Sequence, residues 1–179
     1  MKTWKIIIAV VIGIGIAIGI YFMVTYDEPY FNKVNVPEKT QILNRTDIKY
    51  LDTIMYVGME LADLHPKVVV IQLLDDSNSP KVEKDRKIEA YIYGNSNQYI
   101  IKIRKMSRKQ SITVLAHELI HMEQIERGDL IQSPTSIIWK SDTYTQSNVP
   151  NYGDRGWEYE AEKESVQLRA EIKAILYSK

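Results

Sequence analysis

Residues 107–128 read Ser-Arg-Lys-Gln-Ser-Ile-Thr-Val-Leu-Ala-His-Glu-Leu-Ile-His-Met-Glu-Gln-Ile-Glu-Arg-Gly. Ser107 followed three positions on by Gln110 is a capping-box signature, which opens a helix by satisfying its first free amides. Gly128 supplies the C-terminal stop. The helix predicted between them is apolar on more than one side. Val114, His117, Glu118, His121 and Ile125 share a face, while Leu115, Leu119, Ile120 and Met122 spread around the rest. A helix of this kind belongs at the centre of a domain.

Within it His117, Glu118 and His121 form His-Glu-x-x-His. Residues four apart stand one above the other on a helix, so both imidazoles can reach one Zn²⁺ at about 2.1 Å. Glu118 lies about 100° further round, beside the open coordination position, where it can take a proton from a water. By composition alone the pattern arises in roughly one chain in two hundred of this length. The plain alternative is a chance histidine pair on a surface helix.

The chain has three histidines, His65, His117 and His121, so a third protein ligand is either His65 or a carboxylate. A second helix is predicted from about Trp157 to Tyr177. Its stripe runs Glu158, Ala161, Ser165, Leu168, Ile172 and Ile175, at spacings of three and four. Glu158 thus points inward as the candidate third ligand, since a buried carboxylate needs a compensating charge. Its other reading is a first-turn acid that complements the helix dipole. Glu160 is about 200° round and is expected to face away. Glu162, one turn after Glu158, is placed to support a liganding imidazole from behind. His65, beside Pro66, reads as a surface or capping residue.

Outward from these helices, Asp47 to Leu64 reads as a helix stopped by Pro66. Val68 to Leu74 is a β-branched strand, and Ile88 to Tyr93 and Tyr99 to Arg104 are two more, joined by Gly-Asn-Ser-Asn-Gln. Ile137 to Thr145 is a short strand or hairpin. The predicted fold class is α+β: helix, short three-stranded sheet, metal helix, loop and a final helix, spanning 47–179.

The N-terminus differs in kind. From Ile6 to Thr25 no residue is charged, and twenty residues of helix span about 30 Å, the thickness of a bilayer core. Trp4, Tyr21 and Tyr26 sit at its ends, with Lys2 and Lys5 before it and Asp27 and Glu28 after it. Residues 1–26 are therefore expected to be a single transmembrane anchor with a cytoplasmic N-terminus and the rest extracytoplasmic. A cleaved signal peptide is the alternative, but the apolar run is long for one and no small-residue cleavage site follows. Residues 27–46, with Pro29 and Pro37, read as a linker. Lys plus Arg and Asp plus Glu number 23 each, so no basic excess points to nucleic acid. The absence of cysteine excludes a disulfide framework, a thiolate metal site and a thiol nucleophile.

At His117, Glu118, His121, Glu158 and Glu162 the chain resembles the gluzincin metallopeptidases. They join His-Glu-x-x-His to a downstream helical Glu and an acidic or amide residue four positions later. His-Glu-Leu-Ile-His-Met-Glu-Gln (117–124), the Ile137–Tyr144 stretch and Asn151–Glu162 are similar to minimal zincins of the ImmA/IrrE kind and small phage and bacterial metallopeptidases. The likeness spans about Val68 to Tyr177. It implies a zinc-dependent peptidase acting on peptide or protein, with His117, His121 and Glu158 as metal ligands and Glu118 as general base. Tyr144, Tyr152, Arg155 and Tyr159 are candidates to stabilise the oxyanion. It further implies that the strand before the metal helix, Tyr99 to Arg104, is a sheet edge that pairs with extended substrate. Two rivals stand beside it: a non-enzymatic membrane-tethered module, such as an envelope or virion component, and a zinc hydrolase of cell-wall peptide.

A reporter fused after Lys179 tests the topology. One that is active only outside the cytoplasm should function, and activity confined to a cytoplasmic reporter would overturn the orientation.

Overall fold

The computed structural model describes residues 40–75, 88–95, 97–145 and 147–178. The expected anchor and most of the expected linker lie outside them. Among the described residues no helix is long and apolar enough to cross a membrane. The described part is α+β, with three α-helices and two sheets.

The larger sheet has four strands: β1 (Gln41–Asn44), β2 (Val68–Leu73), β3 (Ala90–Asn95) and β4 (Gln98–Ile103), in the order β1-β2-β4-β3. β1 and β2 are parallel, as are β2 and β4, and β3 runs antiparallel to β4. Two expectations are corrected here. The stretch read as a linker contains β1, so the folded unit starts before residue 47. The strand expected at the edge, Tyr99 to Arg104, is β4, an interior strand paired on both sides. The edges are β1 and β3.

Register explains which face is covered. Ile42, Val69 and Tyr99 stand in one row, and Ile71, Ile101 and Ile92 in another. All six belong to the main core or pack against it. The strand period of two puts them on one face. Over that face lie α1 (Tyr50–Leu61) and α2 (Arg108–Glu126), and α3 (Gly156–Tyr177) packs against both helices.

Helix α2 begins as its sequence predicts. The Ser107 hydroxyl accepts from the Gln110 amide, and the Gln110 side chain accepts from the Ser107 amide. Gly128, just past the helix, has φ +77°, a conformation that costs glycine little. Leu115, Leu119 and Met122 are fully buried on it. The Tyr99 hydroxyl, from the floor of the core, donates to Glu126 Oε1 at 2.8 Å and ties the end of α2 to the sheet.

The second sheet, β5 (Leu130–Gln132), β6 (Ser136–Trp139) and β7 (Asp142–Thr145), is an antiparallel meander. The sequence reading found its hairpin but not β5. Trp139 packs with Leu130 and Trp157 in a small separate core. A side chain at Gly156 would strike the Trp139 indole, so the sheet seats closely on the first turn of α3, the turn that carries Glu158.

The three helices meet at Gly58, in the last third of α1. A Cβ there would overlap Leu119 Cδ1 of α2 and press on Ile172 Cδ1 of α3. In an open helix Gly→Ala gains about 1 kcal/mol. At this crossing Gly58→Ala should instead lose about 1–3 kcal/mol through overpacking, read as a lower urea midpoint with an unchanged slope. Equal or greater stability would show that the helices part freely there.

Candidate metal centre

Helices α2 and α3 bring three ligand atoms together: His117 Nε2, His121 Nε2 and a carboxylate oxygen of Glu158. The two imidazole nitrogens are 3.1 Å apart. Glu158 Oε2 is 3.2 Å from His117 Nε2 and 3.4 Å from His121 Nε2. Around a tetrahedral ion with bonds of about 2.1 Å, ligand atoms stand about 3.4 Å from one another. The triangle therefore has the dimensions of a metal's coordination face, and the group can hold a metal ion.

The surroundings fix how the donors are presented. His121 is buried, and its Nδ1 lies 2.8 Å from Gln124 Oε1. The Gln124 amide nitrogen donates to the Trp157 carbonyl at 3.0 Å. Because a carbonyl only accepts, this bond orients the Gln124 amide, and its oxygen must accept from His121 Nδ1–H. Nε2 is thus the nitrogen that faces the triangle and can give its lone pair to a metal. On the other side, Trp157 Nε1 donates to Glu158 Oε1 at 3.1 Å, leaving Oε2 for the histidines.

Charge in the site is strongly coupled. Burial opposes ionisation of Glu158, but hydrogen bonds from His117 and His121, the His121 charge and a hydrogen bond from Tyr152 hold its carboxyl well below the usual carboxylate range. Burial likewise disfavours a charged His121, yet the Glu158 hydrogen bond and the Glu118 and Glu158 charges push it up to about 9. Glu118 is 5% exposed, and burial pushes its carboxyl up, against the lowering effects of His121, His117 and a hydrogen bond from the Ile92 amide. That amide belongs to edge strand β3. Strand residues Ala90 and Ile92 line the same groove as the triangle and Glu118.

The other sequence candidates separate clearly. Tyr152 and Arg155 line the groove. Arg155 Nε donates to the Pro150 carbonyl at 3.0 Å, with its guanidinium over the Tyr152 and Trp157 rings. Tyr144 is not brought to the site; it packs against Trp157 in the small core, with ring centroids 5.5 Å apart. Tyr159 points into solvent. Glu162 Oε2 is 3.9 Å from His117 Nδ1 on a side chain that is 80% exposed, an ion-pair separation too long for a direct hydrogen bond. Glu160 faces away, paired with Arg127 and with Lys140 at 2.7 Å. His65 pairs with Asp63 on the surface.

Gln124 was missed by the sequence reading. The signal existed in its position, three residues after His121 on the same helix, but polar residues at that spacing are common on any helix. Comparisons with protein-family models, with curated proteins and with solved structures found no match.

Gln124→Leu removes the acceptor that orients His121 while keeping a similar volume. It should weaken zinc binding about 10–100-fold, measured by competition with a chelator. Unchanged affinity would mean that His121 is oriented by packing alone.

Proposed function

We propose that the chain is a membrane-anchored zinc peptidase of gluzincin type, with a minimal zincin-like domain held outside the cytoplasm. The observation that carries this reading is the donor triangle of His117, His121 and Glu158, with edges of 3.1–3.4 Å, in a groove that Glu118 and an edge strand also line. Two imidazoles and one carboxylate with a neighbouring glutamate are the donor set of hydrolytic zinc sites. Zinc bound there would bring the pKa of a ligand water toward about 7 and polarise a substrate carbonyl.

The chain's own residues would do the rest. Glu118 takes a proton from the attacking water and returns it to the departing amine. A carboxyl whose pKa is raised toward the working pH takes a proton more readily than an ordinary carboxylate, and its acid form can still protonate the departing amine. The Ile92 amide holds the Glu118 carboxylate in place through its hydrogen bond. β3 is an edge strand among the described residues and lines the groove, so an extended peptide can lie against it as an added strand. Tyr152 and Arg155, which line the groove beside the triangle, are candidate donors for the developing oxyanion. The peptidic substrate, the anchor and the zinc are parts of one reading, in which an extracytoplasmic domain acts on peptide near the membrane.

Four variants of the full chain separate the roles. Glu118→Gln should keep zinc and lose peptide hydrolysis by several orders of magnitude, since both proton transfers fail. Glu158→Gln should lose zinc affinity. Glu160→Gln should keep both. Glu162→Gln, given its exposure and 3.9 Å separation, should change affinity or rate less than tenfold. Chelator competition and peptide cleavage are the readouts. Full hydrolysis by Glu118→Gln would end the catalytic assignment, and a chain that binds zinc but cuts neither peptide nor cell-wall peptide would favour a non-enzymatic module.

A further inference from the structure

The triangle takes up only part of its groove, which has a volume of about 530 Å³. Along α3 the groove is lined by Glu158, Glu162, Ser165 and Arg169. Their spacings of four, three and four keep them on one helix face. Arg169 is half-buried, and among the described residues nothing pairs with it by hydrogen bond or ion pair. Arg127 and Arg155 differ from it in this. Arg127 is bound by Glu123, Asp129 and Glu160. Arg155 is held by the Pro150 carbonyl and two aromatic rings.

A guanidinium that lines a groove with no partner among the described residues is a ready receptor for a carboxylate, which it can grip with two parallel hydrogen bonds. Its place along the groove sets where that carboxylate must be. Arg169 follows Glu158 by three turns of helix, about 16 Å along the axis. An extended peptide advances about 3.3 Å per residue, and the arginine side chain covers part of the gap. The carboxylate then falls about three to five residues from the bond at the triangle. Nearer the triangle, Glu162 stands 3.9 Å from His117 Nδ1, and its charge disfavours an acidic group at that point.

We propose that Arg169 is a specificity residue that receives a substrate carboxylate, so that the groove selects extended peptides with an acidic group three to five residues from the scissile bond. This rests on the peptidase reading. The carboxylate belongs either to an Asp or Glu side chain or to the end of the peptide.

The test is binding, with cleavage followed in parallel. Labelled extended peptides carrying a single Glu, Gln or Lys at successive positions, each as free acid and as amide, are titrated into the full chain in detergent and read by fluorescence anisotropy. At one register the Glu peptide should bind at least tenfold more tightly than its Gln twin, the size expected of a hydrogen bond to a charged group. If the preference follows the free acid instead, the terminus is the recognised group. Arg169→Gln should abolish the preference, and Arg169→Glu should turn it toward Lys, with thermal unfolding close to wild type for both. Absence of peptide binding, binding without acidic preference, or a preference that survives Arg169→Gln overturns the proposal. Peptides that bind with the preference but are never cut would overturn the peptidase reading and leave the Arg169 subsite standing.

Discussion

The architecture depends on one helix being enclosed on several sides at once. Helix α2 meets the sheet, α1 and α3, and eleven of its residues are buried, among them Glu118, His121 and Gln124. Placing three polar side chains in that position carries a desolvation cost that apolar neighbours cannot offset. It is met because each has a defined partner: Glu118 the Ile92 amide, His121 the Gln124 carbonyl oxygen, and Gln124 the Trp157 carbonyl. The partners come from three different elements. The polar centre therefore ties β3, α2 and α3 to one another alongside the apolar contacts.

The smaller sheet extends the same constraint. Trp139 lies against Trp157, with ring centroids 6.4 Å apart, and close packing at Gly156 brings it against the first turn of α3. Trp157 then serves three ends. Its ring fills the small core, its carbonyl orients Gln124, and its indole nitrogen holds one oxygen of Glu158. A first-turn glutamate would otherwise be free to swing. Here its carboxylate is tethered at Oε1 and presents Oε2 to the histidines.

What the sequence revealed was local or periodic. The capping box and Gly128 delimit α2, the His spacing marks two candidate ligands, and the three-and-four stripe of α3 points Glu158 inward and Glu160 away. What it concealed depends on pairing between distant segments. β1 is four residues in a proline-containing approach, and only its parallel partner β2, 27 residues on in register, makes it a strand. The alternation of Tyr99, Ile101 and Ile103 reveals a half-buried strand but not whether it has one neighbour or two, so an edge and an interior strand read alike there. Tyr144 is close in sequence to Tyr152, yet the hairpin turns it into the aromatic core. Gln124 gains its meaning only from the His121 imidazole and the Trp157 carbonyl that the fold places beside it.

The candidate ligands His117 and Glu158 are 41 positions apart, in a chain with no cysteine. A metal joining them would act as a reversible staple between α2 and α3. A disulfide contributes a fixed amount once formed. A bound ion stabilises according to its supply, by about 1.4 kcal/mol for each tenfold rise in free metal above its dissociation constant. The folded lifetime of such a domain would then be set by the metal content of its compartment.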